Sequence, residues 1–235
     1  MFALRITEPI DFYDYCYSEY LIEKYPKNYF AFGFDIGACG INSKWHINHM
    51  GNDNPNTIMI GFEPDTQGFN LIKKECASLP NVHVYKEFFG RTRNLQQLIN
   101  EHNLDITKTW MFSCDCEGDE KYLFTNKANL DILKTASHIA FEIHPKFCDI
   151  SYVQFIKYFK DHFGDTHKII RTFHGDYYPN GHHAGTHSFI LVKFSLYETV
   201  IKDVIKNFKY NWNSNKDHAR LDGRDRPEHS IKFFN

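Results

Sequence analysis

The sequence has no Cys-x-x-Cys pair, no Gly-Lys-Ser/Thr and no apolar run approaching 18 residues. Each absence closes a class. Its six cysteines are scattered at 16, 39, 76, 114, 116 and 148, and only Cys114 and Cys116 are close. A structural zinc site needs four ligands at tighter spacing, so reduced and mostly buried thiols are expected. Without Gly-Lys-Ser/Thr there is no P-loop. Without a long apolar run there is no membrane-spanning helix and no membrane partner. The opening MFALRITEPIDF is too poor in apolar residues and too soon acidic for a signal peptide, which points to a soluble cytoplasmic protein. An excess of one charge is lacking too. A formal net charge of −2 gives no electrostatic case for nucleic acid as a whole.

What is present is aromatic mass. Aromatics make up 17% of the 235 residues, with 22 Phe and 14 Tyr, and most are expected in a core. The length suits one large α/β domain. Short apolar runs fall at 29–35, 57–63, 81–86, 109–115, 138–144, 167–173 and 187–194, with amphipathic stretches between them. In 149–163 the residues Ile150, Val153, Phe155, Ile156, Phe159 and Phe163 share a helical face, and a similar helix is expected over 196–208. Such alternation predicts a mostly parallel sheet with helices on both faces. The last two strands are joined by HGDYYPNGHHAGT, a turn-rich segment without helical period, so the final strand is expected antiparallel. The division is a helical N-terminal cap (1–28), a core (29–195), and a C-terminal helix with a polar tail (196–235).

Three strand ends are acidic, and in open α/β sheets ligands bind outside the carboxyl ends of the strands. FDIGACG ends the first with Asp35, Gly37 and Gly40. Asp35 stands where a dinucleotide fingerprint needs glycine, and its carboxylate would repel a pyrophosphate, so a cationic ligand fits better. GFEP ends the second with Glu63 and Pro64. A carboxylate there can accept both hydroxyls of a ribose, whereas Asp65 is the better candidate to cap the next helix. FSCDCEGDEKYLF ends the fourth, with Asp115 and Glu117 as site candidates and Asp119 and Glu120 as helix-start residues favoured by the dipole.

Taken in order, FDIGACG, GFEPDTQGFNLIKKE, NVHVY, FSCDCEGDEKYL and IAFEIH resemble the FkbM family of S-adenosylmethionine-dependent methyltransferases over about residues 29–145. The glycine loop is one residue shorter than the family's. The resemblance implies a class I methyltransferase fold, Rossmann-like, with seven strands and the last antiparallel. It implies S-adenosylmethionine as cofactor, with Asp35, Gly37, Ala38 and Gly40 at the methionine end. Glu63 and Pro64 would lie at the ribose, residues 86–88 with Glu87 near the adenine, and Asp115 beside the donor. The implied activity is O-methylation of a hydroxyl on a sugar, glycan or small molecule.

His144, at the end of IAFEIH, is the candidate base for the hydroxyl proton, with Asp115 and Glu117 nearby; it could equally cap the turn before Pro145. Asp115, Glu117, Glu142 and His144 could alternatively bind Mg²⁺ or Mn²⁺. Tyr177, Tyr178 and the histidines 174, 182, 183 and 187 fall in or beside the late loop, either as specificity elements or as polar surface. Two other functions stay open: methylation of ribose in nucleic acid, and a binding module of this fold without catalysis.

Overall fold

The seven apolar runs become strands because each is short, rich in β-branched and aromatic residues, and bounded by turn formers. The computed structural model describes residues 25–38, 47–175, 186–201 and 232–233. The strands are β1 (Phe32–Ile36), β2 (Ile58–Phe62), β3 (Val82–Tyr85), β4 (Trp110–Cys114), β5 (His138–Ile143), β6 (His167–Gly175), β7 (Thr186–Lys193) and a short β8 (Lys232–Phe233). Their order in the sheet is β3-β2-β1-β4-β5-β7-β6-β8. The first five pair in parallel, and β7 runs antiparallel to both β5 and β6. This is the class I methyltransferase arrangement, with the antiparallel strand where the turn-rich connection placed it. The two-residue β8, which pairs with β6, falls in the stretch expected to be a polar tail.

Described helices are α1 (Ile47–Asp53), α2 (Thr66–Glu75), α3 (Leu95–Glu101), α4 (Glu120–Thr125), α5 (Lys127–Leu133), α6 (Pro145–Cys148), α7 (Tyr152–Phe163) and a single turn α8 (Phe194–Leu196). A π-helical turn, Tyr197–Ile201, follows α8. Residues 1–24 of the expected N-terminal cap, Gly40, the loop residues Tyr177, Tyr178, His182 and His183, and most of the C-terminal helix lie outside the described residues.

Strand alternation divides the core in two. Phe32, Phe34, Phe62, Trp110, Phe112, Phe141 and Phe189 face α3, α4, α5 and α7. The opposite face, toward α1 and α2, is mainly aliphatic and sulfur-containing, among them Ala38, Ile47, Met59, Met111, Ala140 and Ile190, with Tyr25 and Phe30 as its buried aromatics. Aromatic mass is thus concentrated on one side of the sheet. There Phe141 stacks on Phe159 with ring centroids 5.4 Å apart. Helix α7 starts at a capping box: Ser151 accepts from the Gln154 amide while the Gln154 side chain accepts from the Ser151 amide. It buries Phe155, Phe159 and Phe163 as expected, but Val153 is 74% exposed. At about 100° per residue Val153 lies about 120° around the helix from the centre of the Phe155, Phe159 and Phe163 stripe, on the solvent side.

The chain leaves the central strand β1 in both directions, and β1 and β4 are neighbours at the reversal. That crevice is where ligands enter sheets of this kind. The Asp115 amide donates to Ile36 O at 2.8 Å and the Gly37 amide to Phe62 O at 2.9 Å, fastening three strand ends together.

Candidate active site

Gly37 follows β1 with φ +85°, a left-handed conformation that favours glycine. A Cβ there would lie 1.6 Å from the Asp115 carbonyl oxygen. The glycine is therefore required by the approach of β4 as well as by the turn. Asp35 is buried, and its Oδ2 accepts from the Ile47 amide at 3.2 Å, tying the far end of the glycine loop back to β1. Ala38 is fully buried and packs with the α1 face of the core.

Glu63 is buried at the end of β2, and its Oε1 accepts from the Asp65 amide at 2.7 Å. Asp65 caps α2 through the Gln67 and Gly68 amides, at 2.8 and 2.9 Å. The division of labour expected from sequence, with Asp65 capping and Glu63 held at the strand end beside Pro64, is present. Glu87 is differently placed. Its carboxylate accepts from Thr92 Oγ1 at 2.5 Å and pairs with Arg93 Nε at 3.3 Å.

The densest cluster surrounds His144. Glu117 has φ +50° and Gly118 φ +112°, a left-handed pair that bends the chain after β4. The bend returns Asp115, Glu117 and Glu120 toward the end of β5. His144 Nδ1 donates to Glu120 Oε1 at 2.6 Å. The other ring nitrogen, Nε2, faces Asp115 Oδ1 at 3.7 Å, Glu117 Oε2 at 3.7 Å and Glu142 Oε1 at 3.5 Å. These are ion-pair distances, too long for charge-assisted hydrogen bonds. His144 Nε2 and Asp115 Oδ1 are both buried without a hydrogen-bond partner, although the Asp115 side chain as a whole is 29% accessible. His144 stands at the N-cap position of α6, yet its side chain makes no cap bond.

Burial by itself would pull the imidazole pKa down. The hydrogen bond with Glu120 and the attraction of Glu142 and Asp115 outweigh it and push the value up to about 11. The ring is then an imidazolium at neutral pH and cannot accept a proton. Burial, and after it the charge of Glu142, raises the Asp115 carboxyl well above the ordinary carboxylate range despite the pull of His144.

Sequence reasoning missed Glu120, assigned there to the helix dipole. It is fully buried, with Oε1 on His144 and Oε2 3.0 Å from the Cys148 thiol. Asp119, also buried, points away from His144 and pairs with Arg91 at 2.6 Å. Arg91 also lies over the Phe88 ring at 4.1 Å, and Phe88 is 46% exposed. The four described cysteines, 76, 114, 116 and 148, are free. Among the described residues no helix is long and apolar enough to cross a membrane.

No protein-family model matches the chain, and no curated protein does. Solved structures of similar fold include an rRNA methylase from Streptococcus thermophilus (13% identity, TM-score 0.44, covering 80% of this chain and 98% of that one). A precorrin-6y C5,15-methyltransferase from Geobacter metallireducens is 12% identical, with a TM-score of 0.45 and 81% and 94% covered. A TehB-like SAM-dependent methyltransferase from Corynebacterium glutamicum is 11% identical, with a TM-score of 0.43 and 79% and 90% covered. The fold assignment stands on the chain's own strand order. The resemblance to the FkbM family is corrected: no family model matches, and the structures of similar fold are methyltransferases of other kinds. The motifs that suggested it are acidic strand ends, a glycine turn and helix caps, which the class I topology itself calls for.

Proposed function

We propose that the protein transfers a methyl group from S-adenosylmethionine to a hydroxyl of an acceptor bound beside the carboxyl ends of β4 and β5. The observation that carries this reading is the pair of buried, unpartnered atoms Asp115 Oδ1 and His144 Nε2, set at the reversal point of a class I methyltransferase sheet. The residues present fit the donor. Asp35, Glu63 and Asp115 put carboxylates on three strand ends, which suits a ligand carrying sulfonium and ammonium charges and no phosphate. When bound, S-adenosylmethionine supplies an electrophilic methyl group, so that an O–CH3 bond forms as the S–CH3 bond breaks and its electron pair stays on sulfur.

Glu63 would hold the ribose hydroxyls, its carboxylate already oriented by the Asp65 amide. Asp35, Gly37 and Ala38 would border the methionine end, with Gly40 further along the same loop. Glu87, committed to Thr92 and Arg93, would act on the adenine side through its backbone and its neighbour Phe88 rather than through its carboxylate. Asp115, Glu117 and His144 would orient the acceptor oxygen, and its proton leaves to the carboxylates around His144 because the imidazole is already charged.

The acceptor in this reading is a sugar, glycan or small-molecule hydroxyl. A ribose hydroxyl of a nucleic acid is a second reading, favoured by the exposed Phe88 with Arg91 lying over it, a pair suited to stacking on a base. Thermal unfolding with S-adenosylmethionine tests both against a non-catalytic module. Ligand at 100 times its Kd adds about 2.7 kcal/mol, which moves Tm by roughly 5–10 °C in a chain of this size. The shift should shrink in Glu63→Ala and largely persist with S-adenosylhomocysteine as ligand. No shift in the wild type would remove the enzyme reading. Tritium transfer from the methyl-labelled donor to RNA or to glycans then separates the acceptors.

A further inference from the structure

We propose that Asp115, Glu117 and His144 form the binding site of one hard divalent cation of the Mg²⁺ or Mn²⁺ kind, against which the acceptor hydroxyl is seated. One ligand atom from each of the three lies within 4.8 Å of the others. Two are carboxylate oxygens and one is an imidazole nitrogen, a set without sulfur that suits a hard cation. Acidic residues gathered at a turn would not suffice by themselves. The independent observation is His144: its side chain is only 2% accessible, its Nε2 has no hydrogen-bond partner, and that atom points into the cluster. Without a cation Nε2 carries the second proton of the imidazolium; the cation takes that proton's place, so binding releases it to solvent.

The second ring nitrogen supports the assignment. Nδ1–H donates to the fully buried Glu120, which fixes the ring plane and presents Nε2 to the cluster. A carboxylate behind a histidine is the usual means of aligning a metal-bound imidazole. Glu120 is in turn held by the Cys148 thiol on its other oxygen. The left-handed backbone at Glu117 brings its carboxylate to the same 3.7 Å from Nε2 as that of Asp115. Ligands bound at about 2.1 Å in an octahedral shell are about 3.0 Å apart when adjacent and about 4.2 Å apart when opposite. The two 3.7 Å spacings from Nε2 lie between these, and Glu117 is 59% accessible, free to close the difference.

Three protein ligands leave room in an octahedral shell for the acceptor oxygen and water. A hydroxyl seated there gives its proton to Glu142, which approaches Nε2 at 3.5 Å and is outside the ligand set. The oxygen then forms the O–CH3 bond as S–CH3 breaks, with the bond's electrons left on sulfur. This use of the cation rests on the methyl-transfer reading; its binding does not.

The test is a Mn²⁺ titration of the full, metal-free chain, followed by the electron paramagnetic resonance signal of free Mn²⁺. One Mn²⁺ per chain is expected, with Kd weakened about tenfold or more in Asp115→Asn and in Glu117→Gln. It should be unchanged in Asp131→Asn, on the exposed side of α5. Circular dichroism reports folding, and the exposed Glu117 decides the matter should Asp115→Asn unfold. No saturable binding, or equal affinity in Glu117→Gln and wild type, overturns the site. S-adenosylmethionine is titrated alongside. Donor binding without Mn²⁺ binding defeats the cation site alone, and Mn²⁺ binding without donor binding upholds it while defeating the methyltransferase reading.

Discussion

Glu120 decides how His144 stands. Taking a carboxylate away from a buried imidazolium leaves an uncompensated charge, and losses on breaking such pairs run to about 3–5 kcal/mol. Glu120→Ala should therefore lower the unfolding free energy by that order in a urea titration. Glu120→Gln, which still accepts a hydrogen bond, should cost less. Equal stability of Glu120→Ala and wild type would mean that the imidazole finds another partner. Spacing could mark Asp115, Glu117 and His144 as a site because each stands at or just beyond a strand end. It could not mark Glu120, because an acidic residue in the first turn of a helix is what the dipole favours in any case. Only the left-handed bend at Glu117 and Gly118 distinguishes Glu120, which it turns inward, from Asp119, which it turns toward Arg91.

At the scale of elements, the caps and turns were legible because they depend on neighbours in sequence. Ser151 and Gln154 announce the start of α7, and Ser151→Ala should cost about 1 kcal/mol in the same titration. The β1 turn is less forgiving. Gly37→Ala combines a positive φ with a methyl placed against the Asp115 carbonyl, so one strand end must give way. A strained residue costs on the order of 1–3 kcal/mol before any displacement is counted, and donor binding should weaken with stability. Unaltered affinity in a folded Gly37→Ala would detach this turn from the cofactor site. Val153 shows how the expected face was drawn too wide: it stands about 120° around α7 from the centre of the buried Phe155, Phe159 and Phe163 stripe, and faces solvent.

Across the whole molecule, two histidines far from the cluster contribute to the response to acid. His138 begins β5 and His167 begins β6, both fully buried. Burial, and for His138 also the neighbouring His167, depresses their pKa values to about 3 and about 4. The unfolded chain takes up these protons near pH 6.5 and the folded chain does not. Their contribution to stability is therefore complete above pH 6.5 and declines as pH falls from there toward 4, by up to about 1.4 kcal/mol per pH unit for each. Urea midpoints at pH 7 and pH 5 should differ accordingly, and His167→Asn should flatten the dependence. The raised Asp115 carboxyl works in the opposite direction over part of this range, so the comparison with the variant decides: a pH dependence unaltered in His167→Asn would contradict the burial of that ring. His167 Nε2 is 2.9 Å from the Ala136 carbonyl oxygen and Tyr25 Oη is 3.3 Å from His138 Nδ1. Such contacts join residues 31 and 113 positions apart, and no local pattern reveals them.

The sequence by itself determined the order of strands and helices, the antiparallel β7 and the acidic strand ends, because apolar period, turn residues and caps act over a few neighbours. Tertiary structure decided the rest. It gathered four carboxylates from the turn after β4, α4 and β5 around one imidazole, gave His144 its positive charge, turned Glu87 toward Arg93, and placed most of the buried phenyl rings on one face of the sheet. Charge interactions depend on distance and on exclusion of water, and both are set only when segments remote in sequence pack together.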